Sequence, residues 1–141
     1  GLIPDKFNEP FIVMNSDLLT KVEFSQMLDF HANSGSVATM GVRKYTHEIP
    51  FGVVETEAHI IKSITEKPKH DFFVNAGLYV LQPEVLSEIQ KNKYLDMPSL
   101  FTWLSQQGKQ TSAFHLREYW IDIGRTDELE RAEREYEEHF V

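Results

Sequence analysis

Short apolar segments alternate with amphipathic segments along this chain of 141 residues. Phe11 to Met14 is an apolar run that stops at polar Asn15-Ser-Asp17, a pattern typical of a buried parallel strand. Thr20-Lys-Val-Glu23 then predicts a capping box. The apolar spacing that follows predicts a helix from Phe24, which we expect to end at Gly35.

The rest of the chain continues this alternation. Apolar runs predict strands at residues 37–42, 51–55, 60–64, 72–81, 113–116 and 119–123, the second and third forming a hairpin. Helical spacing predicts a helix after Pro83, another from near Asp96 to Gly108, and a last one carrying Leu129, Ala132 and Tyr136. Alternating strands and helices predict an α/β fold with a mixed, mainly parallel sheet flanked by helices.

Composition narrows the class of protein. The chain is long enough for one domain at most, and 41% apolar with 12% aromatic residues is enough for a packed core. Its 22 acidic and 14 basic side chains give a net charge of -8, which disfavours nucleic acid as a partner. No apolar run approaches the roughly 18 residues of a membrane span, so we expect no membrane partner. The chain has no cysteine, which excludes thiolate sites and weakly indicates the cytoplasm.

Two aspartates interrupt or follow apolar strands. Asp17 comes just past the Phe11 strand, at the strand edge where open α/β sheets bind ligands. Asp122 lies within Trp120-Ile-Asp-Ile-Gly124, where an acid needs a cation or hydrogen-bond donors. Taken singly, each has a plainer explanation, a turn at Asp17 and a helix-capping acid at Asp122. Together they could share one Mg²⁺ and leave positions for substrate phosphates, which indicates phosphate chemistry.

Two further polar groups are notable, one just after a predicted strand and one inside another. Glu66-Lys-Pro68 could hold sugar hydroxyls and a phosphate, although such a tripeptide is more often a surface turn. Asn75-Ala-Gly77 places an amide inside a long apolar strand, where Gly77 would allow close approach of a ligand or another backbone. A β-bulge is the alternative there. Gly52, in another predicted strand, could also allow a ligand or another backbone to approach closely, but the indication there is weaker.

The order of these motifs resembles one enzyme family. They are Val13-Met-Asn-Ser-Asp17, Pro50-Phe-Gly-Val-Val-Glu55, Glu66-Lys-Pro68, Asn75-Ala-Gly-Leu-Tyr79 and Trp120-Ile-Asp-Ile-Gly124. Together they resemble the sugar-1-phosphate nucleotidyltransferases, or nucleotide-sugar pyrophosphorylases, and within them the mannose-1-phosphate or glucosamine-1-phosphate guanylyltransferase type. The resemblance spans Pro10 to Leu129 and implies a Rossmann-like fold.

The resemblance also implies roles for particular residues. Asp17 and Asp122 match the family's two Mg²⁺-holding aspartates, and Lys67 matches the lysine that grips the sugar phosphate. Glu66 and Asn75 match positions that hold the sugar hydroxyls, with Gly52 and Gly77 lying against the sugar. The implied substrates are a sugar-1-phosphate and a nucleoside triphosphate. Ser16 departs from the glycine common in relatives, and we expect little effect from it.

A larger departure concerns the nucleotide site. The family begins with a glycine-rich stretch followed by arginine, and the first 34 residues contain no such loop. We therefore expect residues 1–141 to be the C-terminal portion of one nucleotidyltransferase domain, with Gly1 to Pro4 ending a preceding helix. By itself this portion is expected to be inactive and to expose a sheet edge, through which it could form a homo-oligomer.

Two other functions stay open at this point. A metal-dependent glycosyltransferase also places an aspartate at a strand end, although Glu66-Lys-Pro68 and Asn75-Ala-Gly77 favour the nucleotidyltransferase. A non-catalytic regulatory module could retain the sugar-phosphate site without the reaction. Both aspartates together with Lys67 disfavour that second alternative.

Overall fold

The computed structural model describes residues 8–90, 93–124 and 126–141. The expected helix end at Gly1 to Pro4 lies outside these residues. The elements in chain order are β1 (Phe11–Met14), β2 (Leu18–Thr20), α1 (Phe24–Ser34), β3 (Ala38–Glu48), β4 (Gly52–Glu57), β5 (Ile60–Glu66), β6 (Lys69–Leu81), α2 (Val85–Glu88), α3 (Met97–Gln106), β7 (Thr111–Leu116), β8 (Trp120–Asp122) and α4 (Thr126–Phe140).

The central sheet has four strands in the order β1-β6-β3-β7. β3 and β7 are parallel, whereas β6 is antiparallel to both β1 and β3. The predicted α/β class with a mixed sheet is confirmed. The parallel pairing expected for Phe11–Met14 is wrong within the described residues, because a continuous apolar run reports burial on both faces and not strand direction.

Strand β6 forms the centre of the core. Its last six residues, Ala76 to Leu81, are all buried, and they alternate between two apolar clusters. Ala76, Leu78 and Val80 pack with Met27 of α1 on one face, while Tyr79 and Leu81 pack with Leu100 and Leu104 of α3 on the other. Burial on both faces explains why this segment is the longest apolar strand candidate of the chain.

The helix boundaries follow local hydrogen bonds. Asp96 caps α3 by accepting a hydrogen bond from Ser99 N at 2.8 Å, close to the predicted start of this helix. Gly35 ends α1 in the left-handed conformation, as predicted, with φ of 65°.

Among the described residues, no helix is long and apolar enough to cross a membrane.

The capping box predicted at the start of α1 is wrong. Thr20 ends strand β2 instead, where its hydroxyl donates to Tyr119 O at 2.9 Å and accepts from Val22 N at 3.2 Å. Glu23 is the N-cap and makes no side-chain capping hydrogen bond. Thr20 thus serves the pairing of β2 with β8, a long-range contact that sequence spacing alone does not reveal.

A buried polar network lies beneath the C-terminal end of α1. His31 is 1% exposed, and its Nδ1 lies 2.7 Å from the hydroxyl of Thr39, which lies 2.8 Å from that of Ser112. The other ring nitrogen, Nε2, is buried and has no hydrogen-bond partner within the described residues. Burial lowers the pKa of His31, because the charged imidazolium would lose its hydration.

We predict that this histidine makes the fold sensitive to mild acid. Since its pKa is lower in the folded chain than the unfolded value of about 6.5, the unfolded state binds a proton first as the pH falls. Stability is then full above about pH 6.5 and falls by up to about 1.4 kcal/mol per pH unit between that value and the folded pKa. Urea unfolding of the wild type and His31→Gln at pH 5, 6 and 7 measures this. Equal pH slopes for the two proteins would contradict the prediction.

Candidate functional site

Asp17 and Asp122 lie together at the pairing of β2 with β8. The two strands are antiparallel, with Leu18 opposite Asp122, and Ile123 N donates to Asp17 O at 2.8 Å. Strand alternation buries Ile121 and turns Asp122 outward, so Asp122 is exposed and Asp17 is half-buried. The structure therefore brings together the two acids that the sequence singled out.

The carboxylates of this pair converge on Gly124. A β-carbon built on that glycine would lie 3.0 Å from Asp122 Oδ1 and 3.4 Å from Asp17 Oδ2. The two oxygens are therefore no more than about 6.4 Å apart, the sum of those distances. The same Asp122 Oδ1 accepts a hydrogen bond from Gly124 N at 2.9 Å, which fixes the orientation of this carboxylate. A side chain at position 124 would crowd both acids.

Both aspartates line an open cleft of about 680 Å³. Its lining combines these acids with cations from β3 and α4. The lining residues are Asp17, Arg43, Lys44, Tyr45, Thr46, Val74, Trp120, Ile121, Asp122, Gly124, Glu128 and Arg131. A cleft lined by carboxylates together with guanidinium and ammonium groups is an environment suited to a metal-bound anion.

The donor set of this site suits Mg²⁺. Among the described residues, no group of three or more His, Cys, Asp or Glu side chains forms a metal cluster, so a structural Zn²⁺ cage is not found there. Mg²⁺ instead takes one or two carboxylates and keeps water or phosphate oxygens in its other positions. Two adjacent carboxylates, one of them exposed to solvent, meet that requirement.

Asn75 and Gly77 lie in an irregular segment of β6. Between the pairs Met40–Tyr79 and Val42–Asn75, a single residue of β3 faces three residues of β6. Asn75 closes this bulge, because its Oδ1 accepts from Gly77 N at 2.9 Å and its Nδ2 donates to the Tyr79 hydroxyl at 2.8 Å. The structure therefore contains the β-bulge that was the alternative explanation for Asn75-Ala-Gly77. The side chain of Asn75 is exposed and not buried, contrary to expectation.

The bulge lies against the loop that precedes Asp17. Asn15 N donates to Gly77 O at 2.9 Å, and the position of a β-carbon on Gly77 is 2.8 Å from Asn15 Nδ2 and 2.9 Å from Leu18 Cδ1. Gly77 has φ of 70°, which favours glycine. Close approach at Gly77 is therefore made by the chain's own Asn15 and Leu18, and it packs the bulge against the loop that leads to Asp17.

Glu66, Lys67 and Gly52 form a separate group at the end of the β4–β5 hairpin. Gly52 is paired with Glu66, and the Glu66 carboxylate lies 2.8 Å from where a β-carbon of Gly52 would be. Lys67 has φ of 45°, a strained backbone for a side chain other than glycine, and such strain often occurs at functional sites. Both Glu66 and Lys67 are exposed and able to meet a ligand.

The structure does not bring this hairpin group into contact with the aspartate pair. Lys67 and Asn75 are eight positions apart, and the intervening strand would span roughly 25 Å if fully extended at about 3.3 Å per residue. All seven residues of β5 are exposed, and within the described residues β4 and β5 make extensive contact only with each other. The hairpin thus extends away from the sheet on the β3–β6 ribbon.

Arg43 and Trp120 take part in this site and were not predicted from the sequence as site residues. The predicted strand over 37–42 stopped one residue before Arg43, whereas β3 continues to Glu48. The signal for a longer strand was the alternation after Val42, where Arg43 and Tyr45 share one face. In the sequence, Trp120 is only an apolar neighbour of Asp122, and no pattern there indicates a role for its indole donor.

Residues 2–139 match the family model described as nucleotidyl transferase. The chain is 37% identical over 123 residues to the mannose-1-phosphate guanyltransferase beta-A of Xenopus laevis, covering 83% of this chain and 33% of that protein. It is 34% identical over 125 residues to the mannose-1-phosphate guanyltransferase of Saccharomyces cerevisiae, covering 84% and 34%. The chain thus spans about a third of the length of these curated relatives.

Solved structures share the fold. A candidate glucose-1-phosphate thymidylyltransferase of Bacillus anthracis, solved with a sucrose, superposes with a TM-score of 0.62 at 20% identity over 90% of this chain and 54% of that one. HddC of Yersinia pseudotuberculosis gives a TM-score of 0.60 at 20% identity, over 91% and 56%. At this identity the likeness establishes the α/β architecture alone.

We predict that Gly77→Ala destabilises the chain by about 2 to 4 kcal/mol. The left-handed backbone costs about 1 kcal/mol, and overlap with Asn15 and Leu18 adds about 1 to 3 kcal/mol. Gly108→Ala is the matched control, because Gly108 also has φ of 70° but has nothing within 4 Å of its β-carbon position. Urea unfolding of both variants isolates the steric term. Equal losses would show that the bulge does not press against the aspartate loop.

Proposed function

The chain belongs to the nucleotidyl transferase family, and we propose that it forms part of an enzyme that transfers a nucleotidyl group from a nucleoside triphosphate to a sugar-1-phosphate. The products are a nucleotide-sugar and pyrophosphate. One observation carries this proposal: the carboxylates of Asp17 and Asp122 converge on Gly124 in a cleft that is also lined by Arg43, Lys44 and Arg131.

The relatives favour one pair of substrates for the first test. The two curated relatives named above are mannose-1-phosphate guanyltransferases. We therefore propose mannose-1-phosphate and GTP as the substrates to assay first, with other sugar-1-phosphates and nucleoside triphosphates as comparisons.

The proposal assigns a task to each candidate residue. Asp17 and Asp122 would hold Mg²⁺, and Lys67 would grip the sugar phosphate as a point charge. Glu66 would accept hydrogen bonds from the sugar hydroxyls, and Asn75 would accept or donate them. Gly77 N holds the Asn75 side chain by a hydrogen bond, and Gly52 leaves the space that the Glu66 carboxylate occupies. Since the hairpin group and the bulge are separate here, the ribbon between them must bend for Glu66 and Asn75 to contact one sugar.

The chemistry requires alignment of anions and not proton abstraction. A phosphate oxygen of the sugar-1-phosphate attacks the α-phosphorus of the nucleotide, and the bond from that phosphorus to the pyrophosphate oxygen breaks. The nucleophile is already anionic, so no general base is needed. Two unit charges at about 4 Å repel by about 4 kcal/mol at an effective dielectric of 20, which corresponds to about three decades in rate.

The chain's own residues offset part of this repulsion. The cations that line the cleft would place positive charge near phosphates bound there, and the aspartate pair would hold the metal. Lys67 would add its charge only once the β3–β6 ribbon has bent toward the cleft. When bound, Mg²⁺ would supply a further positive charge that polarises phosphate oxygens. Because this chain spans about a third of the length of its relatives, the activity is proposed for the whole protein that contains it.

We predict that Asp122→Asn in that protein lowers turnover at least 10³-fold while leaving the fold intact. The substitution keeps the size of the side chain but removes the charge that holds the metal, and the lost charge screening corresponds to about 4 kcal/mol. Pyrophosphate release with mannose-1-phosphate, GTP and Mg²⁺ measures the rate. Unfolding by urea confirms that both proteins are folded.

Asp29→Asn is the matched control for this substitution. Asp29 is an exposed aspartate of α1, and the same loss of charge there should leave the rate within about twofold of the wild type. Near-normal nucleotide-sugar formation by Asp122→Asn would refute the metal assignment. Release of a nucleoside diphosphate from a nucleotide-sugar, with no release of pyrophosphate from GTP, would favour the glycosyltransferase alternative.

A further inference from the structure

The two aspartates lie on a ribbon that is not part of the main sheet. β2 and β8 each contain three residues, and within the described part of the chain they pair only with each other. The β2–β8 pairing sets the distance between the two carboxylates, but it does not set where this ribbon lies relative to Asn75 on β6. That second relation depends on contacts between the ribbon and the four-stranded sheet.

Trp120 and Arg43 make such contacts. The Arg43 guanidinium donates a short hydrogen bond to Trp120 O through Nη1, and its carbon lies 5.6 Å from the centroid of the Trp120 ring. The indole Nε1 of Trp120 donates in turn to Ala76 O at 2.8 Å. A residue of β3 therefore holds a residue of β8, which is anchored on β6 beside the Asn75 bulge.

We propose that Arg43 is a positioning residue that holds the aspartate ribbon against the main sheet through Trp120. Its planar guanidinium can donate to the backbone carbonyl and lie over the indole ring at once, which a lysine ammonium cannot do with the same geometry. The consequence for catalysis rests on the proposed function. The structural part, that Arg43 secures Trp120 on Ala76, stands independently of it.

A neighbouring cation serves as a matched control. Lys44 is the next residue of β3 and lines the same cleft, but its ammonium pairs with Asp71 at 2.7 Å. Arg43→Met and Lys44→Met both remove one positive charge from the cleft and keep an unbranched side chain. Only the first removes a hydrogen bond to β8, so a difference between them reports positioning and not charge.

Hydrogen exchange of the Trp120 indole N–H, measured by NMR on this chain, tests the structural part directly. We expect exchange at least tenfold faster in Arg43→Met, an intermediate value in Arg43→Lys, which keeps one donor, and the wild-type rate in Lys44→Met. The backbone amide of Val80, fully buried in the central strand β6, serves as the internal reference, because general destabilisation would accelerate its exchange as well. Unchanged Trp120 exchange in Arg43→Met, or equal acceleration at Val80, would overturn the proposal.

Mn²⁺ binding and turnover test the consequence for the proposed function. Since β2 still pairs with β8, Arg43→Met should keep Mn²⁺ affinity within about threefold of the wild type, measured by calorimetry. In the whole protein kcat should fall by about tenfold or more, with Arg43→Lys recovering part of it. A rise in KM for the nucleotide at unchanged kcat would instead identify Arg43 as a direct phosphate ligand and overturn its positioning role.

These experiments separate two kinds of failure. If Asp122→Asn keeps normal turnover while Arg43→Met still accelerates Trp120 exchange, the proposed function fails and the positioning role of Arg43 stands. If Asp122→Asn abolishes turnover and Arg43→Met leaves Trp120 protected, the proposed function stands and the positioning role fails.

Discussion

The pairing of β2 with β8 is the contact on which the site depends. It joins two aspartates that are 105 positions apart in the sequence, and it does so with strands of three residues each. The pairing thereby sets two carboxylates on either side of one glycine, Gly124, at an exposed edge of the molecule. Two such carboxylates are the donor set that the proposed divalent ion would need.

Much of the architecture could be predicted from the sequence, because burial leaves a direct pattern. The two-sided burial of β6 produces an unbroken apolar run, and the Asp96 cap and Gly35 stop mark helix ends by local chemistry. Strand direction could not be predicted in this way, since the run at Phe11–Met14 has the same pattern whether its neighbour is parallel or antiparallel. The prediction of Thr20 as a helix-capping residue is wrong because its hydroxyl bonds to Tyr119, which is 99 positions away.

The candidate site was predictable in its members but not in its geometry. Polar interruptions of apolar runs identified Asp17, Asp122 and Asn75, because a polar group in such a place needs a partner. The same argument could not show that Asn75 partners its own bulge, or that Glu66 and Lys67 lie on a hairpin away from the acids. The role of Arg43 could not be predicted because a cation on an extended strand has no distinctive spacing. Its contact with Trp120 is visible only in the structure.

The bulge at Gly77 has a mechanical effect at a distance. It lies where the β3–β6 ribbon leaves the packed sheet, and a bulge bends its strand and increases the local twist. Over an arm of roughly 25 Å, a rotation of about 10° at that point moves the far end by about 4 Å. The conformation of one glycine therefore affects the position of the Lys67 backbone, although the two residues are far apart along the ribbon.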